Sequence, residues 1–159
     1  MSPVKPIPEG YHSVTPYLCC RDAGAAIDFY KKAFGATELM RMGAPDGKVG
    51  HAEIQIGDSR VMLADEFPEM GFLSPQTVGG SPVMIHLYVE DADATTARAV
   101  AAGAKVVKPV EDQFYGDRGG QLDDPFGHKW YVSTRKEDLS FDEVRERAAK
   151  MMGGSRSGS

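Results

Sequence analysis

The chain has 159 residues, 42% hydrophobic and 26% charged, with a net charge of −5. That length predicts one domain-sized body able to bury a real core, and the composition excludes a disordered or fibrous chain. The acidic balance speaks against a nucleic-acid partner, which favours a basic patch, and no apolar run approaches the ~20 residues of a membrane span.

The opening MSPVKPIPEGYHS has no apolar stretch of signal-peptide type, so cytoplasm is the expected compartment. Residues 1–12 read as an N-terminal extension. VTPYLCC at 14–20 is a strand; its adjacent Cys19 and Cys20 are expected as reduced thiols, one to each face. Ala23–Phe34 carries Ala26, Ile27, Tyr30 and Phe34 at helical spacing, closed by Gly35. Strands follow at 37–42, 50–56 and 60–66, with turns at APDG and Gly57-Asp58. Together residues 13–70 form a β-α-β-β-β module.

Residues 71–82 are rich in Gly, Pro and Ser and read as a linker. The same order then returns over 83–136. It runs through a strand at 84–89, a helix from Asp91 to Ala102 closed by Gly103, and a strand at 105–110. A polar loop at 111–120, a short strand at 121–124, a DPFG turn and a strand at 129–134 complete it. The helix-opening Asp and helix-closing Gly are 13 positions apart in one half and 12 in the other, and Gly57 has its counterpart 70 positions on at Gly127. These shared features predict an internal duplication. Ser140 and Glu143 form a capping box for a last helix at 137–152, whose apolar stripe suits docking. The run from Gly153 to Ser159 is expected as a flexible tail with a linker-like composition.

Period-two sorting of the strands leaves one apolar face for each module's helix. The other face carries Thr15, Tyr17, His51, Glu53, Gln55, Asp65, His86, Tyr88, Tyr131 and Ser133. A solvated sheet face would be polar too, but richer in Lys and Thr; His and Tyr suit a ligand site. Tyr115 and Arg118, in the loop QFYGDRG, are added as a mobile rim over that site; the plainer alternative pairs Arg118 with a nearby Asp.

The strings PYLCCRDAGAAIDFYKKAFGA, HAEIQIGDSRVMLADE, HLYVEDAD and QFYGDRGGQLDDPFGHKW resemble the vicinal oxygen chelate superfamily, which includes glyoxalase I, bleomycin-resistance proteins and extradiol dioxygenases. They look like its PhnB-like branch, over about residues 12–136. The resemblance implies an α+β fold of two βαβββ modules with curved sheets around a cleft, and a homodimer. In metal-dependent members the ligands sit on the first and last strand of each module. Here those positions fall on Thr15, on Val61 or Leu63, on Met84 and on Tyr131, none an ordinary metal ligand.

Two function classes follow. One is a protein of antibiotic-resistance type that holds a small or drug-like molecule, for which Glu53, Asp65 and the tyrosines suggest a positive charge. No cofactor is favoured in that reading. The alternative is a metal-dependent lyase, isomerase or transferase using Zn²⁺, Ni²⁺, Mn²⁺ or Fe²⁺ on a shifted site of His51, Glu53 and His86, with Asp65 as a fourth ligand. A metal-free enzyme or a partner-binding domain remains a third option, with Cys19 as a nucleophile if a base such as His86 lies beside it.

Overall fold

A computed structural model describes residues 3–157, with side-chain surroundings given to residue 153. Its first half runs β1 (Tyr17–Cys20), α1 (Ala23–Phe34), β2 (Thr37–Gly43), β3 (Val49–Ile56) and β4 (Ser59–Asp65). After the short helix α2 (Pro75–Val78) the order repeats as β5 (Met84–Tyr88), α3 (Ala92–Ala101), β6 (Lys105–Asp112), β7 (Asp117–Asp123) and β8 (Lys129–Arg135). Helix α4 (Phe141–Ser157) follows. The strands form two four-stranded sheets, ordered β1-β4-β3-β2 and β5-β8-β7-β6. The first strand of each half pairs parallel with the last, and the other pairs are antiparallel.

Equivalent sequence signals start both long helices. Asp22 accepts a hydrogen bond from the Ala25 amide and Asp91 from the Ala94 amide, each at 3.0 Å. Gly35 closes α1 at φ +68°, where a Cβ would be strained. The helices bury their apolar faces on the sheets and on each other. Leu18, Cys20, Ile54 and Leu63 meet α1, while Leu122, Trp130 and Val132 belong to the second half of the same core. Trp130 reaches α1 directly, its ring 4.7 Å from Phe34 and 5.4 Å from Tyr30. Beneath it the buried Asp124 accepts from Tyr30 Oη at 2.5 Å, Trp130 Nε1 at 3.0 Å and the Phe126 and His128 amides. Burial and the Asp124 charge hold the Tyr30 hydroxyl well above the ordinary phenol range, so it stays a donor.

Several boundaries differ from the sequence expectation. The first ladder opens at Tyr17 and not at Val14; Pro16 has no N–H to offer, though its carbonyl accepts from the Met62 amide at 2.9 Å. The polar loop expected at 111–120 is mostly strand. Gln113 N donates to Asp117 O at 2.7 Å and Gly116 takes φ +93°, so β6 and β7 meet in a tight hairpin. The linker is also less plain than its composition suggests. Ser74 is fully buried, and Glu66 accepts from its amide at 3.0 Å and from Thr77 Oγ1 at 2.7 Å, which straps α2 to the end of β4.

Helix α4 begins at its capping box, with Ser140 Oγ accepting from the Glu143 amide at 3.1 Å. It continues to Ser157, through the Gly/Ser run expected to be a flexible tail from 153; residues 158 and 159 lie outside the described residues. Of its apolar stripe Val144 and Ala148 are half-buried while Phe141 is 83% exposed, and the helix is tied to the body by Arg147, which donates to Glu137 at 2.7 Å and to the Phe114 carbonyl at 3.1 Å.

Candidate functional site

Each sheet turns its second face away from the helices, and that face carries most of the candidate residues. In the first sheet Tyr17 is in register with Met62, and Met62 with Glu53. Above this row Tyr17 Oη lies 2.8 Å from His51 Nδ1, and His51 Nε2 lies 2.8 Å from Glu53 Oε2. A carboxylate only accepts, so Nε2 carries the imidazole proton and Nδ1 accepts from the tyrosine. Phe72 meets Tyr17 edge-on, centroids 5.7 Å apart.

In the second sheet the rings of Tyr88, His86 and Tyr131 form a run, which Tyr115 joins through its hydroxyl. His86 stacks on Tyr88 at 4.6 Å and lies 5.0 Å from Tyr131. His86 Nε2 is 2.7 Å from Ser133 Oγ, and Tyr115 Oη donates to Tyr131 Oη at 2.9 Å. Burial and the Tyr131 hydroxyl raise the Tyr115 phenol above its ordinary range, so it remains protonated. Gly119 makes room for this arrangement: a Cβ there would stand 2.8 Å from Tyr131 Cε1 and 2.7 Å from Ser133 Cβ. An open groove of about 1480 Å³ borders Tyr88 and Tyr115 and is also lined by Asp117. Asp117 is buried and on the face of β7 that pairs with Arg135. It was missed because β7 was expected to begin at residue 121; the same period-two rule, started at 117, finds it.

Two candidates are misplaced. Asp65 does not face the open side of the sheet. It points to the core, where it accepts from the Ala23 amide at 2.8 Å and the Val49 amide at 2.6 Å. On β4 the open face belongs to Met62 and Ala64, so the ligand-strand position assigned to Val61 or Leu63 also shifts. Arg118 likewise lies off the site. It donates to Asp93 on α3 at 2.7 Å and to Asp112 at 3.2 Å, the plain pairing, because even positions of β7 turn to the helix side. Tyr115 is held in the hairpin and bonded to Tyr131.

The residues present do not fit the divalent metal considered for His51, Glu53 and His86. Both His51 nitrogens are engaged, by Tyr17 and Glu53, and His86 belongs to the other sheet and bonds Ser133. Among the described residues no group of three His, Cys, Asp or Glu side chains is placed to share an ion. The thiols are free and buried, one to each sheet face. Burial and the nearby Glu66 and Asp65 charges push Cys19 up to about 11, so it is a protonated thiol at neutral pH and a poor nucleophile. No helix among the described residues is long and apolar enough to cross a membrane.

Comparison with known proteins agrees with this architecture. The chain is 46% identical over 136 residues to the uncharacterized protein Mb0911c of Mycobacterium bovis, covering 84% of this chain and 90% of that one. The solved structure of the Arabidopsis thaliana product At5g48480 is 30% identical with a TM-score of 0.62, covering 77% of this chain and 98% of that one. TioX from Micromonospora sp. ML1 is 25% identical with a TM-score of 0.61, covering 81% and 100%. The family model described as Glyoxalase/Bleomycin resistance protein/Dioxygenase superfamily matches residues 10–132, and with the doubled βαβββ order it shows that the chain belongs to this superfamily.

Proposed function

We propose that the protein binds a small or drug-like aromatic cation on the open face of its second sheet, as an antibiotic-binding member of the superfamily's PhnB-like branch. The observation that carries this reading is the run of rings Tyr88, His86 and Tyr131, extended by the hydroxyl bond from Tyr115. Stacked rings offer flat apolar area and a negative π-face, which together favour a planar cation. The carboxylate of Asp117 lies beside Tyr115, and the adjoining groove, lined by Glu90, Asp91, Arg98 and Arg135 as well, gives room for a bulky substituent. The same reading takes the protein as a cytoplasmic homodimer, with the exposed Val14, Val83 and Met84 on or beside the edge strands β1 and β5 available to a second copy.

The test is calorimetric titration with bleomycin, a basic glycopeptide with a planar aromatic part, against a neutral aromatic of similar size. Saturable binding of the cation is expected, weakened about tenfold by Tyr88→Leu, the equivalent of about 1.4 kcal/mol. Tyr88 is 63% exposed, so that substitution should leave the melting temperature unchanged. Equal binding of both probes, or of wild type and Tyr88→Leu, sinks the reading.

A further inference from the structure

The first sheet carries a second constellation that the aromatic platform does not use. Tyr17, His51 and Glu53 form one hydrogen-bonded line ending at a phenol on a half-open sheet face, Tyr17 being 46% exposed. We propose that this line is a base-assisted tyrosine nucleophile, a site that takes activated acyl compounds onto Tyr17 Oη.

The parts have the relation that any nucleophile, base and orienting carboxylate require. Glu53 fixes the tautomer by accepting from Nε2–H, which leaves the Nδ1 lone pair aimed at the tyrosine hydroxyl. Burial raises the Tyr17 phenol above its ordinary value, so a phenolate does not stand ready. The proton therefore leaves as the new bond forms. Tyr17 Oη attacks the acyl carbon, its proton passes to His51 Nδ1, the bond from the acyl carbon to the leaving group breaks, and the leaving group takes that electron pair. The imidazolium that results is stabilised by Glu53 and returns its proton to solvent or to the leaving group.

The surroundings add little competing charge. Across β2 the neighbours are Met40, opposite Glu53, and Met42, opposite His51. From β4 come Met62 and the small Ala64, over which the two rings can meet, with Arg60 at one end held by the Gly10 carbonyl and the Tyr11 ring. Glu66 at the other end is bonded to Ser74 and Thr77. On β1 the titratable neighbour is Cys19, which stays protonated at neutral pH.

The experiment is exposure of the full chain to p-nitrophenyl acetate, with release of nitrophenolate followed by colour and acetyl adducts located by peptide mass mapping. Tyr88 is the internal reference, because at 63% exposure it is the more accessible phenol. Tyr17 is expected to be acetylated at least about a hundredfold faster than Tyr88, the low end of what a placed base contributes. The rate should rise through a single titration that coincides with that of the His51 ring followed by NMR. His51→Gln should bring Tyr17 down to the rate of Tyr88. Glu53→Gln, a change at a positioning residue, should slow acetylation of Tyr17 while leaving the Tyr88 rate unchanged, since the Nε2–H tautomer loses its carboxylate acceptor. Acetylation of Tyr17 no faster than of Tyr88 overturns the proposal with wild-type protein alone. An unchanged Tyr17 rate in a folded His51→Gln variant does the same. Neither result bears on the aromatic platform of the other sheet, which is tested by binding.

Discussion

Asp65 and Glu66 are adjacent in the chain and serve opposite sides of the sheet. Asp65 turns inward and holds the first amide of α1 and the first amide of β3, two donors that would otherwise be buried without a partner. Asp65→Asn keeps one acceptor oxygen and sets an NH₂ against the other donor. A loss of about 2 kcal/mol is expected, read as a lower urea midpoint with an unchanged slope. The sequence signal misled here for a definite reason. Both alternating sets on β4 are apolar, Val61 and Leu63 against Met62 and Ala64, so Asp65 was sorted by its polarity. A carboxylate that satisfies backbone amides looks the same in sequence as one that awaits a ligand. By contrast His51 and Glu53, two apart on a cleanly alternating strand, were correctly put on one face; the partnership with Tyr17 required the fold.

At the level of elements, the segment between the modules is held by Glu66. The Ser74 amide and the Thr77 hydroxyl keep its carboxyl at about 2, against an ordinary value of 4.5. A depressed carboxyl stabilises the folded form above the unfolded-state value, and that contribution is lost as pH falls through the folded one. The strap over α2 is therefore expected to loosen between about pH 4.5 and 2. The protection of the Thr77 and Val78 amides against exchange, relative to an unstructured amide at the same pH, should fall over that interval in wild type and show no such step in Glu66→Gln. None of this was legible in GFLSPQTVGGSP, whose composition speaks only of turns. The helix boundaries, set by Asp22, Gly35 and Asp91, were legible, because caps are local chemistry. The β6–β7 hairpin was not: its residues are polar and glycine-rich, and strand pairing there is enforced by the partner strand β8.

Across the whole molecule the two modules are joined by one core rather than by the linker. Tyr30 of the first half and Trp130 of the second both donate to the same buried Asp124 oxygen, and His128 Nε2 lies 2.8 Å from the Cys19 carbonyl. Tyr30→Phe removes one donor from a buried carboxylate that retains the Trp130 indole and two backbone amides. Scanning calorimetry is expected to show a single transition at lower temperature, with stability reduced by about 1–3 kcal/mol. Two separated transitions would mean that the halves fold independently. The doubled β-α-β-β-β order, the helix ends and the apolar faces are written along the chain, since periodicity, capping and turn chemistry act within a few residues. Which polar residues serve the backbone and which remain for chemistry is settled only once the chain is folded. That choice depends on donors and charges far apart in sequence: the Val49 amide for Asp65, the α3 carboxylate for Arg118, and the Tyr17 hydroxyl for His51.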